Sequence, residues 1–398
     1  MSDFATDGSE ARSIRVGVVG VGQRAVIARH IAESGQPARL VAAADPTERG
    51  RERARAVFGD DIRVAQTHTQ LIESGAIDAA IVTSPDWTHA QIAVDLLRAG
   101  IAVYLEKPLA ITLEDADAVL EAAAQTGTAL YVGHNFRHSG VARAMRAVVE
   151  RGEIGEVKAV WCRHFVGNGG DYYFKDWHAD RSRVNSLLLQ KASHDLDIIH
   201  MLAGGYTRRV VGMGGLTLYG DIADRRDRSG ELMEDWFSYD NWPPLSQSGL
   251  NPVVDVEDLS MVMMTLDNGV QASYEQCHYT PDYWRNYTVI GTEGRLENFG
   301  DTGGGVVKVW THRRGWDLAG DREYPISGVE DGHADADLLT MTEFLAHLAT
   351  GAPTELSPIA AREAVATGAL ATRSLRDGSV PIDVPPPSDA VVRHFSRS

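Results

Sequence analysis

Gly20, Gly22 and Ala25 stand in the stretch GVVGVGQRA, directly after an apolar run and at the start of a helical pattern. A first glycine permits a tight turn, and a second lets backbone come close to a pyrophosphate. A small third residue lets helix and strand pack closely. Free N–H groups at the helix start, with Gln23 and Arg24 as candidate cofactor-binding residues, add partial positive charge for an anion. Asp45 lies roughly twenty residues further on, at the end of the next apolar run. A carboxylate there can accept hydrogen bonds from both ribose hydroxyls and repel a 2′-phosphate, which favours NAD over NADP. Arg49 and Arg51 lie close by and partly offset that repulsion, so NADP stays open as the second cofactor.

Two lysines and a histidine are the candidates for moving a proton. Glu106-Lys107-Pro108 ends an apolar strand pattern, where a side chain faces the crevice at the carboxyl end of a parallel sheet. Further on, QKASHDLDIIHML sets Gln190, Lys191, His194 and Asp197 into an apolar helical pattern. On one continuous helix Gln190 and Lys191 both share a face with His194, and Asp197 is placed to orient that histidine or pair with its charge. Oxidising an alcohol needs a base for the hydroxyl proton. Histidine serves with little tuning, and lysine serves once burial and nearby positive charge pull it down to about 7–8.

Aromatic and hydrogen-bonding residues cluster in HFVGNGGDYYFKDWHADR, from His164, and in YTPDYWRNY, from Tyr279. Aromatic faces stack on the C–H surfaces of sugar rings while polar groups address hydroxyls. Trp177, His178, Tyr283 and Trp284 are therefore candidate walls of a sugar or polyol pocket, though such aromatics equally fill cores and subunit interfaces. A phosphorylated substrate would call for a tighter arginine cluster than this chain has.

Holding these residues together requires a frame, and the hydrophobic pattern supplies one. IRVGVVG, RLVAAAD, AAIVTS, AVYLEK and ALYVGHN read as strands, separated by the helical stretches AVIARHIAESG, RGRERARAVFG, TQLIESG, HAQIAVDLLRAG and LEDADAVLEAAAQTG. That alternation predicts an α/β Rossmann domain, a doubly wound parallel sheet, over residues 13–134. Beyond it EVKAVWCRHF alternates in the manner of a strand, and LSMVMMTLDNGVQASYEQCHY and NYTVIGTEGRLENFG read as strand pairs about tight turns. Helical periodicity returns over 335–376. Residues 135–376 are thus expected to form an α+β domain with an open, mostly antiparallel sheet for substrate and oligomer contacts. Residues 1–12 are expected to be a disordered leader and 377–398 a proline-rich C-terminal tail. The stretch from Asp221 to Asp255 is long, polar and weakly periodic, the mark of a functional or interface loop.

Bulk composition excludes some classes. A net charge of −17 opposes binding to nucleic acid or to an anionic membrane surface. Cys162 and Cys277 make neither a disulfide framework nor a zinc-ligand cluster, so no metal is expected and a reducing cytoplasm is the default compartment. There is neither a secretory apolar region at the start nor an apolar run of membrane-spanning length.

Five stretches in order, GVVGVGQRA, SPDWTHAQIAVDLLRAG, EKPLA, HDLD and GTEGRL, resemble the Gfo/Idh/MocA oxidoreductases, the group that includes glucose–fructose oxidoreductase and inositol dehydrogenase. The resemblance covers about residues 13–380 and implies NAD(P) in a crevice between the two domains. It implies Lys107 near the reacting hydroxyl and His194 as acid or base. Ser84, Pro85 and His89 would run beside the cofactor with Glu106, and Asn135 and Arg137 would line the nicotinamide or substrate pocket. Many members carry aspartate where this chain has Gln190, which cannot hold a proton as a carboxylate can. Lys191 and His194 are therefore expected to act together, with Lys107 fixing the substrate and the choice of primary base among the three open. A homodimer or homotetramer using the open sheet is also implied. The activity implied is a sugar or polyol dehydrogenase. The alternatives are a redox-assisted glycosidase and a non-catalytic NAD-binding regulator.

Overall fold

The computed structural model describes residues 13–328 and 334–396; the expected leader at 1–12 lies outside the described residues. Six strands form the first sheet: β1 (Ile14–Val19), β2 (Ala38–Ala44), β3 (Arg63–Ala65), β4 (Ala79–Val82), β5 (Ala102–Glu106) and β6 (Leu130–Gly133). Their order is β3-β2-β1-β4-β5-β6, and every pairing is parallel. β4 and β5 are buried throughout, and apolar up to Glu106 at the end of β5, because packing elements cover both faces of the sheet. The strand order reverses between β1 and β4, so a crevice opens at their carboxyl ends. Gly20, Ser84, Lys107 and His134 follow β1, β4, β5 and β6 at that edge. The helix after β1 is wound more tightly than its pattern predicts. Gln23–Arg29 is a 3-10 turn without a side-chain cap, and only His30–Glu33 is α-helical.

The second sheet contains β7 (Val157–Val166), β8 (Thr207–Gly215), β9 (Leu259–Leu266), β10 (Gln271–Cys277), β11 (Tyr283–Gly291), β12 (Arg295–Phe299), β13 (Val306–Trp310), β14 (Arg322–Pro325) and β15 (Ile382–Asp383). Their order is β14-β13-β12-β11-β7-β10-β9-β8-β15, antiparallel except for the parallel pair β7 and β10. The D-N-G and T-E-G turns join β9 to β10 and β11 to β12 as their residues predict. One face packs on the helices Gly140–Glu150, Ser193–Ala203 and Pro358–Arg376. The other face leaves Trp161, Met213, Met261 and Met263 exposed.

The last quarter of the chain departs from its expected placement. Met341, Phe344 and Leu345, on the helix Ala334–Thr350, pack against Val16, Ile81, Tyr104 and Tyr131 of the first sheet. On the helix Pro358–Arg376, Ala361 and Val365 join the core of the first sheet while Ala364, Ala366 and Ala371 join that of the second. Residues 335–376 therefore serve both layers, because apolar residues on more than one side of a helix need more than one partner. Nor is the segment after 376 a tail. Ile382 pairs with Val210, Val384 is buried, and Val391 and Phe395 pack on the first unit. Arg362, 1% exposed, anchors the segment by donating to the Pro385 carbonyl at 2.6 Å. Isolated apolar residues among prolines gave no periodic signal.

The long polar stretch closes over a small core of Phe174, Tyr219, Ile222, Leu250 and Val256. Trp236 Nε1 donates to the Asp171 carbonyl at 2.9 Å and Asn241 Nδ2 to the Asp171 carboxylate at 2.8 Å, fastening the helix Gly169–Tyr173. A Cβ on Gly368 would lie 2.5 Å from the Leu188 carbonyl oxygen. Gly368→Val is expected to cost about 2 kcal/mol by overpacking, read as a lower urea midpoint. An unchanged midpoint would show that the two helices separate freely.

Candidate active site

The crevice begins with a close approach. Gly20 has φ +86°, and a Cβ there would lie 2.4 Å from the Ser84 Cα, so only glycine lets β1 and β4 end side by side. Thr83 Oγ1 donates to the Gly20 carbonyl at 2.6 Å. A Cβ on Gly22 would meet nothing within 4 Å. Ala25, 1% exposed, packs the turn against the sheet. Open space over Gly22 and an uncapped helix start fit a dinucleotide pyrophosphate.

Asp45 is placed beside this turn, but its carboxylate is engaged from within. It accepts from Val21 N at 2.8 Å, Thr47 N at 2.9 Å and Thr47 Oγ1 at 2.6 Å. Gly50 makes room, since a Cβ there would lie 2.1 Å from the Asp45 Cγ. Asp45 thus braces the glycine turn in addition to any ribose contact. His89 likewise bridges two backbones, with its ring nitrogens 2.7 Å from the Pro108 carbonyl and 2.8 Å from that of Ser84. It ties the Ser84-Pro85 loop to the turn carrying Lys107.

Arg24, Glu106 and Asn135 engage one another through a residue the sequence did not single out. Arg24 donates to Glu106 at 2.6 Å and to Asp337 at 2.8 Å, and Asn135 donates to Asp337 at 2.6 Å. Glu106 also accepts from the Lys107 backbone at 3.0 Å. Arg137, expected at the substrate, instead forks onto Asp197 with two contacts of 2.6 Å. Asp197 in turn is held by Arg137 and lies 3.5 Å from His134 Nδ1, so it clasps the crossover after β6.

Lys107 faces the second unit. Its ammonium donates to the Gln190 carbonyl at 3.2 Å. Burial pushes the amine down to about 8, Lys191 and Arg24 push the same way, and Asp86 and Glu106 oppose them. The helix expected through Gln190 and His194 is broken. Leu187–Gln190 and Ser193–Ala203 are separate, with Lys191 and Ala192 in a turn where Ala192 N reaches back to the Leu187 carbonyl at 3.1 Å. The Gln190 carbonyl at this break accepts from Lys107 and, at 3.2 Å, from Ser193 Oγ. The ring of His194 packs 6.0 Å from those of His134 and Phe136.

Lys191 Nζ lies 3.2 Å from the Tyr283 hydroxyl, and over the rings of Tyr283 at 5.4 Å and Tyr173 at 5.6 Å. His178 stacks on Trp177 with centroids 3.7 Å apart. Burial lowers its imidazole to about 3, helped by Lys107 and Lys191, so it is neutral in the crevice. Trp284 does not share this pocket. Adjacent strand residues point to opposite faces, and Trp284 lies with Phe165 and Arg163 while Tyr283 lies with His164.

Several site residues had weak sequence signals. Asp195, fully buried, accepts from His164 Nδ1 at 2.9 Å, Tyr274 at 3.1 Å, Arg285 at 3.1 Å and Tyr287. Burial opposes its charge, but His164 and Arg285 hold its carboxyl well below the usual range. Burial and Arg285 push His164 down to about 3. Strand alternation at His164, Tyr274, Arg285 and Tyr287 was the available clue; Asp86 had only its place in the SPDWTH loop. Among the described residues no group of three or more His, Cys, Asp or Glu side chains could hold a metal ion.

Two family models match this chain. Residues 14–134 match the oxidoreductase family with an NAD-binding Rossmann fold, and residues 142–297 match the Gfo/Idh/MocA C-terminal domain. The chain belongs to the Gfo/Idh/MocA oxidoreductase family. Inositol 2-dehydrogenase of Rhizobium meliloti is 32% identical over 37% of this chain and 44% of its own length. The chain spans about half the length of the curated relatives it matches. Levoglucosan dehydrogenase, solved with NADH and levoglucosan, has a TM-score of 0.75 at 20% identity, covering 94% of this chain and 100% of its own. The WlbA dehydrogenase of Bordetella pertussis, solved with NADH and UDP-GlcNAcA, has a TM-score of 0.71 at 20% identity, covering 94% and 98%. At that identity these structures share the fold with this Gfo/Idh/MocA protein.

The two glycines separate folding from binding. Gly22→Val is expected to leave the melting temperature unchanged and weaken NADH binding by about tenfold or more, read by fluorescence titration. Gly20→Ala is expected to lower the melting temperature, because it meets both the positive φ and Ser84. Equal effects of the two substitutions would refute the assignment.

Proposed function

We propose that this protein is a dehydrogenase that oxidises a hydroxyl-bearing carbon of a sugar or polyol with NAD. One observation carries the reading: the amine of Lys107, just after β5 at the carboxyl edge of the first sheet, is bonded to the Gln190 carbonyl at the broken helix of the second unit; burial lowers that amine to about 8. Gly20, Gly22, the helix start at Gln23, and the Ser84-Pro85 loop would hold the dinucleotide, which when bound supplies a hydride acceptor. The negative charge of Asp45 at the ribose end supports NAD over NADP.

In this reading Lys107 takes the proton of the reacting hydroxyl, a role for which a lysine poised near neutrality is suited. Its depressed amine makes it the primary base, in place of the expected pairing of Lys191 with His194. Lys191, held by Tyr283 and Tyr173, binds a neighbouring substrate oxygen, and neutral His178 exchanges a hydrogen bond with another. Trp177 behind His178 offers an apolar face to the sugar. His194 lies on the crossover side and completes the pocket there. Apolar residues on the open face of the second sheet, Trp161, Met261 and Met263, support a homodimer or homotetramer. Among the described residues no helix is long and apolar enough to cross a membrane, and two free cysteines support a reducing, cytoplasmic setting.

A panel of polyols, sugars and glycosides, each with NAD and NADP, tests the reading through NADH formation. Lys107→Met is expected to lower kcat by about 10²–10⁴-fold with NADH affinity retained. Because the base must be neutral, kcat/KM for oxidation is expected to rise about tenfold per pH unit up to about 8 and then level off. Absence of turnover across the panel in protein that binds NADH would sink the proposal.

A further inference from the structure

Two arginines stand just beyond Asp45, and the structure gives each a partner within the protein. Arg51 donates to the Asp45 and Pro46 carbonyls at 3.0 and 2.9 Å, which folds it back on its own turn. Arg49, in the first turn of the helix Glu48–Phe58, reaches across to the second unit. One guanidinium nitrogen donates to the Gly230 carbonyl, and another lies 3.8 Å from the Asp235 carboxylate. Both partners belong to the long polar stretch between Asp221 and Asp255.

The second unit holds these partners ready. Trp236 is buried and fastened through Nε1 to the Asp171 carbonyl. Arg228 lies over the Trp236 ring at 5.3 Å and bonds the Gly249 carbonyl at 3.2 Å and Glu231 at 2.7 Å. The Asp235 oxygen that faces Arg49 also accepts from Leu232 N at 2.7 Å, so the carboxylate is fixed on its own short turn. Residues 228–236 thus form a braced arm that meets the first unit at Arg49. The side chains of Arg49 and Asp235 are 50% and 52% exposed, and an ion pair that open to water adds little stability. Its consequence is where it holds the guanidinium.

We propose that the arm 228–236 is a specificity element for the cofactor: by holding Arg49 it withholds from a 2′-phosphate the cation that would receive it, and so enforces the preference for NAD that Asp45 sets. The inference rests on the dinucleotide reading, with Asp45 at the ribose end. A Rossmann fold that takes NADP answers the 2′-phosphate with an arginine near the end of the second strand. Arg49 and Arg51 are the arginines so placed here, and both are engaged. To meet a phosphate, Arg49 has to give up a carbonyl and a carboxylate together, and the carboxylate it leaves behind repels the same phosphate. A ribose with its 2′-hydroxyl intact makes no such demand. The choice of cofactor in the first unit is in this way set partly from the second.

The test is a double-mutant cycle on the full-length protein, with NADH and NADPH affinities read by fluorescence titration. Wild type is expected to bind NADH about tenfold or more tightly than NADPH. Asp235→Ala leaves Arg49 only the Gly230 carbonyl, and is expected to strengthen NADPH binding by about three- to tenfold while changing NADH binding by less than about twofold. In an Arg49→Ala background the same substitution is expected to leave NADPH binding unchanged, since no guanidinium remains to be released. A gain that persists in that background overturns the proposal, because Asp235 would then act by its own charge. An Asp235→Ala protein with the cofactor preference of wild type overturns it as well. Hydrogen exchange reads the arm itself: Arg49→Ala is expected to speed exchange over residues 228–236, and an unchanged rate would show that Arg49 does not hold the arm. A wild type that binds neither nucleotide overturns the dinucleotide reading on which all of this rests.

Discussion

One guanidinium ties together the three segments on which the candidate site depends. Arg24 bonds Glu106, 82 residues ahead, and Asp337, 313 residues ahead. Through Glu106 it holds the backbone of Lys107, and through Asp337 it holds Asn135 at the start of the crossover. Both carboxylates are under a tenth exposed, while Arg24 itself is 39% exposed. The network is therefore valuable for where it places the chain more than for its net stability, because two buried carboxylates without their cation would repel one another. Arg24, Glu106 and Asn135, expected at a cofactor, are joined to one another through Asp337.

The second unit presents a rigid, largely neutral wall to that frame. Asp195 collects His164, Tyr274, Tyr287 and Arg285, and a carboxylate with so many donors is held in one rotamer. Burial keeps His164 and His178 uncharged. Neutral imidazoles both donate and accept hydrogen bonds, which is the property the proposed function uses.

The break at Lys191-Ala192 connects the two. On an unbroken helix the Gln190 carbonyl would serve the helix itself, whereas here it receives the Lys107 ammonium. Buried packing on its N-terminal side holds the break in place: Ser186 Oγ is bonded to Thr372 at 2.5 Å, and Gly368 lies against the Leu188 carbonyl. The long helix Pro358–Arg376 thus sets the position of a turn nearly two hundred residues earlier in sequence.

By itself the sequence determined the parallel sheet, the glycine turn, the position of Lys107 at a strand end and the hairpins of the second sheet. Each is a local matter, set by side-chain periodicity, by glycine's freedom at positive φ, or by the residues a tight turn admits. Tertiary structure alone decided that Arg137 belongs to Asp197, that Trp284 faces away from Tyr283's pocket, that the helix at Gln190 breaks, and that residues after 376 fold back onto both units. The reason is competition. Each charged or polar group has several acceptable partners along a sequence, and the one it takes is settled only when burial has removed water and left a single partner within reach.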